Sequence, residues 1–313
     1  MRSPSLWRPR WRAVTLITAL AVAAVGTVVI WQSRSAQEGK SVPPSQTIDL
    51  TRRIGEHISG LPKEGGYRIP DRGERRAIAT GVALVLDRRL DAARQRLATV
   101  GYTVRTLRVS GTDREVAEVA ESPATHRGWG WVYVDLAHPV RWNVQAPHPR
   151  SDLYTELLAG DLFTRAPGGV LVLAGAPRNA GEGNAADVAH REDSVFGAVC
   201  DMLVARGLPA IQVHGFADAS SPDHDVIVSP GPAEPSRPVR EAARLLSDKG
   251  FRVCRVWRER CSGLEGTTNA QGNKAADNGV PFLHVENSFT VRADPASRQR
   301  VADALAAVAR GWE

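Results

Sequence analysis

The chain has 313 residues, of which 24% are charged, and a formal net charge of +6 at pH 7. Arg2, Arg8, Arg10 and Arg12 supply +4 of that, which leaves +2 for everything after them. The pI near 9.6 is therefore a property of one terminal cluster, and a nucleic-acid-binding surface is excluded as its explanation.

Residues 13–31 (AVTLITALAVAAVGTVVIW) then run without a charge. A helix needs about 20 apolar residues to cross the hydrocarbon core, so this run predicts one N-terminal transmembrane helix. The arginines before it stay on the cytoplasmic side and direct the rest of the chain outward. Trp7, Trp11 and Trp31 stand where interfacial aromatics belong. A cleaved signal peptide, giving a secreted protein, is the alternative. Its apolar core is normally about 7–15 residues, and a cut after Ala36 places Arg34 where a small residue is wanted. Residues 32–66 are polar and rich in Pro, Ser, Gly and Lys, which suits a flexible tether. The expected organisation is a basic cytoplasmic tail (1–12), an anchor (13–31), a tether (32–66) and an extracytoplasmic α/β domain (67–313). That domain divides into an N-terminal extension packed on one edge (67–136) and a catalytic core (137–313).

GERRAIATGVALVLDRRLDAARQRLATVG predicts one or two helices with Leu90, Ala93, Leu97 and Val100 on one face. YTVRTLRV and WGWVYVDL predict strands. From Val140 onward strand and helix alternate: WNVQA, then SDLYTELLAGDLF; VLVLAGA, then SVFGAVCDMLVAR; AIQVHGF, then SRPVREAARLLSDKG. FRVCRVW and VPFLHVENS are further strands. DPASRQRVADALAAVARG closes the chain as a helix, with Asp294 as N-cap and Pro295 in the first turn. This alternation predicts a mostly parallel or mixed sheet flanked by helices on both faces. Three cysteines are too few for a disulfide scaffold, and no CxxC pair is present. Cys254 and Cys261 are close enough in sequence to bridge in an oxidising compartment, and Cys200 reads as a buried thiol.

Ligand sites in such sheets lie beyond the carboxyl ends of the strands. WNVQA leads to Pro147-His148-Pro149, then Asp152, with Glu156 further along. VLVLAGA leads to Arg178 and Asn179. AIQV runs into His214-Gly215, and FLHV into Glu286, with Arg292 beyond. Two imidazoles, one carboxylate and an open position make a catalytic zinc site, where bound water has a pKa of about 7. A further carboxylate there takes the proton from that water, and an arginine grips a substrate carboxylate with two hydrogen bonds. His57, His126 and His138 have no such context, and His224 reads as a solvated loop residue. His284 shares a strand face with Glu286 and reads as core or as support behind the ligands. Asp187 and His190 either line the site or cap the next helix. No G-x-S-x-G, P-loop or dinucleotide fingerprint is present.

The order of these residues resembles the zinc carboxypeptidase and N-formylglutamate amidohydrolase group of metal-dependent hydrolases, over roughly residues 140–292. The resemblance implies a zinc-exopeptidase-like fold. It also implies that His148, Asp152 and His214 hold Zn2+, that Arg178 and Asn179 clamp substrate, and that Glu286 is the catalytic acid/base. GTTNAQG and HVENSFTVR resemble the substrate-loop and catalytic-glutamate regions of that group, which adds Asn269 and Arg292 as substrate contacts. The chain departs from the group's H-x-x-E ligand pair. His148 is followed by Pro-Arg-Ser-Asp, which makes Asp152 the expected second ligand and leaves Glu156 as its competitor.

These readings imply a membrane-anchored, extracytoplasmic zinc-dependent hydrolase of amide or peptide bonds. Its substrates would be small peptides or amides bearing a carboxylate, from the cell envelope by location alone. Two alternatives stay open: a catalytically degenerate envelope-binding protein of the same fold, and a structural or assembly protein of the membrane.

Overall fold

Capped amphipathic runs and alternating apolar segments build ten strands and nine α-helices within residues 46–62, 66–122 and 124–312, which a computed structural model describes. The anchor expected at 13–31 lies outside the described residues. Among those described, no helix is long and apolar enough to cross a membrane.

Two elements occupy the stretch expected to be a tether: β1 (Gln46–Ile48) and α1 (Leu50–Ser59). Asp49 caps α1, accepting from the Arg52 backbone N–H at 3.0 Å. Leu50, Ile54 and Ile58 recur every fourth residue and are all buried. The tether boundary is therefore corrected for 46–62. Arg52, Arg53, Glu56 and His57 make the segment polar on average, while one narrow stripe does the folding.

In α2 (Arg72–Leu86) a reciprocal pair of hydrogen bonds between Asp71 and Glu74 closes the first turn. α3 (Leu90–Ala98) follows after Arg88, which takes a left-handed φ of 61° and breaks the helical run in two. β2 (Tyr102–Val109), β3 (Glu115–Glu121) and β4 (Trp131–Asp135) form an antiparallel meander. The sequence did not announce β3.

Beyond them lie β5 (Trp142–Ala146), α4 (Thr155–Arg165), β6 (Gly169–Leu173), α5 (Val195–Ala205) and β7 (Ala210–Phe216). β8 (Val226–Ser229), α6 (Arg237–Asp248), β9 (Val253–Arg255) and α7 (Ala270–Asp277) come next. β10 (Phe282–Ser288), α8 (Phe289–Ala293) and α9 (Pro295–Arg310) finish the chain. Four elements differ from expectation. α4 starts at Thr155 rather than at Ser151, β8 and α8 were not foreseen, and α7 occupies part of the segment taken for a substrate loop.

All ten strands join one sheet in the order β1-β2-β3-β4-β6-β5-β7-β10-β8-β9. β6, β5, β7 and β10 are mutually parallel; β4 and β8 flank them antiparallel, so the sheet is mixed. The strands of residues 67–136 lie toward one edge of the sheet and continue it through the β4–β6 pairing, with Trp131 opposite Leu173. α1, α4, α9 and α6 lie side by side on one face, over Val144, Leu171, Ile211 and Leu283. α3, α2, α5 and α7 cover the other, over Val132, Val134, Val170 and Val172. Cys254 and Cys261 form a disulfide, and Cys200 is a free, buried thiol in α5.

Candidate metal centre

The middle strands carry polar side chains on the face toward α5 and α7, and at their carboxyl ends these become ionisable. β5 delivers His148 through Pro147 and Pro149, whose rings fix the backbone on either side. The chain then turns back: the Ser151 and Asp152 N–H groups both donate to the His148 carbonyl, at 3.0 and 2.7 Å. That turn, not a helix, sets Asp152 beside His148. Tyr154 takes a left-handed φ of 74°, unusual for an aromatic residue, and redirects the chain into α4. β7 delivers His214 and β10 delivers Glu286, directly opposite one another in register.

His148, Asp152 and His214 converge. Asp152 Oδ2 lies 3.5 Å from His148 Nδ1 and 3.6 Å from His214 Nδ1. Those gaps are too long for good hydrogen bonds, and His148 Nδ1 has no hydrogen-bond partner although it is buried. Two ligands each about 2.1 Å from a tetrahedral ion stand about 3.4 Å apart, so the spacing suits a shared cation. The outer nitrogens are anchored: His148 Nε2 meets Asp187 Oδ1 at 2.8 Å, and His214 Nε2 meets Gln212 Oε1 at 2.7 Å. Both rings thus turn Nδ1 inward, the arrangement in which outer partners orient metal-binding histidines. The residues fit a zinc ion: two imidazoles, one carboxylate and an open side.

Electrostatics separate the carboxylates. Burial pushes Asp152 up, but the adjacent imidazoles of His148 and His214 outweigh it and hold the carboxyl well below its ordinary range. Asp187 is likewise held low against burial by His148, His190 and Arg178. Burial, with Asp152 nearby, drives Glu286 well above the ordinary carboxyl value. Its Oε2 is buried without a partner. A second convergence, His214, His284 and Glu286, shares one histidine with the first. Burial and the neighbouring His214 push His284 far below the ordinary imidazole value. A cation is better served by Asp152, whose carboxyl is held low, than by Glu286, whose affinity for a proton is raised by burial. His284 packs against the His214 ring at 4.6 Å between centroids. Gly266 also lies against the His284 ring, where a Cβ would strike it.

The remaining expected residues divide. Arg178 stands at the rim with its side chain 43% exposed and one Nη2 bond of 2.9 Å to Asp187, so the rest of its guanidinium stays open to solvent. Asn179 is exposed and lines a shallow depression with Arg150, Ser151, Leu153 and Pro177. Asp187 is the anchor of His148, and His190 Nδ1 meets its Oδ1 at 3.1 Å. Asn269 and Arg292, expected to contact substrate, are both buried with their polar groups engaged. Asn269 is 2% exposed; it caps α7 through the Gly272 N–H and donates to Gln212. Arg292, 4% exposed, donates to the carbonyls of Asn287, Phe216 and Leu153. Its guanidinium lies where a Cβ on Gly215 would be, and it ties the ends of β7 and β10 to the Asp152 turn. Glu156 sits in the first turn of α4 and belongs to none of the groups that converge at ligand distance among the described residues, with Arg298 and Arg292 as its charged neighbours. A separate cavity of about 520 Å3 lies between α1 and β2–β4. Glu118 in its wall already accepts from Arg53 at 2.5 and 2.7 Å and from Tyr133 at 3.0 Å.

The sequence reading missed Gln212, Gln145, Asn143 and Gln271, all 3% exposed or less. The signal was available: WNVQA and AIQVH place polar residues at every second position of strands covered on both faces.

Fold and site together define a mixed α/β protein with a buried histidine–aspartate cluster of metal-ligand geometry. The chain is similar in structure to an N-formylglutamate amidohydrolase from Ralstonia eutropha, at 12% identity and a TM-score of 0.39, over 55% of this chain and 92% of that one. It is similar to the zinc-free apo form of YNDL (15%, TM-score 0.39, 56% and 87%). It is also similar to the LapA aminopeptidase of Legionella pneumophila (8%, TM-score 0.37, 85% and 71%). The first of these bears the name of the group that the ordered motifs resemble. No family model matches the chain, and no curated protein matches it. Likeness at this level assigns no chemistry, which rests on the side chains.

Proposed function

We propose that the protein is a zinc-dependent hydrolase of amide or peptide bonds in small carboxylate-bearing substrates, working outside the cytoplasm from an N-terminal membrane anchor. One observation carries the chemistry: two inward-facing Nδ1 atoms stand at ligand spacing from the Asp152 carboxylate, with each outer Nε2 anchored. His148, Asp152 and His214 hold the ion. When bound, zinc supplies Lewis acidity, polarising a carbonyl and bringing the pKa of a water to about 7.

The chain's own residues do the rest. Glu286, buried beside His214 with Oε2 unpaired, has the elevated proton affinity of a general base that hands its proton on to the leaving amine. Arg178, pinned at one Nη2 by Asp187, presents its remaining donors to a substrate carboxylate. Asn179 borders the same rim. The Cys254–Cys261 disulfide and the basic, then apolar, N-terminus support a location outside the cytoplasm.

The test is metal content and turnover of the full chain, for wild type, His148→Ala, Asp152→Asn and Glu286→Gln, on short peptides and N-acyl amino acids. Wild type should hold one equivalent of zinc, and the two ligand variants should lose it. Glu286→Gln should keep the metal while kcat falls by about 100-fold or more. Stoichiometric zinc in His148→Ala would falsify this site. Stoichiometric zinc without turnover in wild type would favour an envelope-binding protein of the same fold.

A further inference from the structure

Gln212 is surrounded by fixed polarity. Its Nε2 donates to Gln145 Oε1 at 2.8 Å and to Gln271 Oε1 at 3.0 Å. Its Oε1 accepts from Asn269 Nδ2 and meets His214 Nε2. Both donors and both lone pairs are therefore engaged, in a side chain with 0% exposure.

An amide alone has no defined sense, because its oxygen and nitrogen can exchange places. Here the sense is imposed three times by backbone groups that cannot flip. Asn143 Nδ2 faces the carbonyls of Leu208 and Pro209, so its Oδ1 must turn to Gln145, whose Nε2 donates to it at 2.7 Å. Gln145 consequently offers its oxygen to Gln212. Gln271 Nε2 donates to the Val188 carbonyl at 2.9 Å, so Gln271 also offers oxygen. Asn269 Oδ1 accepts from the Gly272 N–H at 2.9 Å, so Asn269 offers nitrogen. All three chains require Gln212 to direct Nε2 toward Gln145 and Gln271, and Oε1 toward Asn269. His214 Nε2 meets that same Oε1 and can only donate.

We infer that Gln212 is a positioning residue whose backbone-anchored amide network locks His214 in the Nε2–H form, so that its Nδ1 lone pair faces His148 and Asp152. The consequence for metal binding rests on the function proposed above; the ring's tautomer does not. A buried amide holds the ligand ring without adding charge, unlike Asp187, the carboxylate behind His148. Misorientation of a ligand by loss of such an outer partner costs about 10–100-fold in metal affinity.

Two measurements on the full chain test this. Long-range 1H–15N correlation spectra of the metal-free wild type should show His214 as a single Nε2–H tautomer. A dominant Nδ1–H form, or rapid averaging between the two, would overturn the inference, and this arm needs no variant to fold. The second arm is zinc affinity by chelator competition for Gln212→Leu and Gln212→Glu. The leucine variant should bind about 10–100-fold more weakly with a mixed tautomer, whereas glutamate, which keeps an acceptor for His214, should restore the Nε2–H signal. Unchanged affinity in Gln212→Leu sinks the role. If wild type binds no zinc, the proposed function fails while the tautomer result still stands or falls on its own.

Discussion

Asp152 and Glu156 are acids four residues apart, and their surroundings drive them in opposite directions. Two histidines hold Asp152 ionised. Glu156, 6% exposed with Oε2 unpaired, is pushed up to about 7 by burial against the lowering effect of backbone hydrogen bonds, Arg298 and Arg292. A carboxyl raised from 4.5 in this way stays neutral in the fold while the unfolded chain ionises. The contribution of Glu156 to stability is therefore full below pH 4.5 and is lost as pH rises through about 7. Glu156→Gln removes that loss. Denaturant unfolding at pH 8 should find the variant more stable than wild type by up to about 3 kcal/mol, with little difference at pH 4. Its zinc content should match wild type, since Glu156 belongs to none of the groups that converge at ligand distance among the described residues. A less stable variant at pH 8 would show that the carboxylate has a partner the geometry does not reveal.

At the scale of elements, the strand ends were legible because local chemistry marks them. Pro147-His148-Pro149 and His214-Gly215 stand at the carboxyl ends of recognisable strands, a position that places side chains on the rim. The roles of Asn269 and Arg292 were not legible. An N-cap and a carbonyl-binding arginine are defined by partners distant in sequence, such as Gln212 and Phe216. The buried amides were passed over for another reason: alternation of polar and apolar residues normally means one wet face, and only coverage by α5 and α7 makes it a dry network. α1 shows a related limit, since its polar contribution runs through a partner distant in sequence. Arg53 grips Glu118 of β3 with two bonds, and Glu118, 1% exposed, also accepts from Tyr133. Burial works against ionisation there, yet Arg53, His57 and Tyr133 bring the carboxyl down to about 2. Because the folded value is depressed, this stabilisation is present above pH 4.5 and lost as pH falls toward 2, a swing of about 3 kcal/mol. Arg53→Met should flatten the acid limb of the stability–pH curve in that window; an unchanged limb would mean that the pair contributes nothing net.

For the whole molecule, the question is where the folded unit begins. A boundary at Tyr67, the natural cut if 32–66 were a tether, removes β1 and α1 together. β1 is the edge strand, pairing in parallel with Leu107–Val109 of β2. α1 lies against α4, so its loss uncovers the apolar surface beneath Leu50, Ile54 and Ile58. Burying each of these three side chains is worth about 1.5–3 kcal/mol, the cost of ordering the segment offsets part of that, and Glu118 would lose Arg53 while remaining buried. Since a domain's net stability is about 5–15 kcal/mol, such a truncation removes a large share of it. A chain starting at Tyr67 should therefore melt well below one starting at Ser45, bind a hydrophobic dye and self-associate. Its histidine cluster is built from β5, β7 and β10, away from the cut, so zinc affinity in whatever fraction stays folded should be little changed. Equal melting temperatures for the two chains would return 46–62 to the role of a linker and mean that β2, β3 and α4 hold together without the cover of α1.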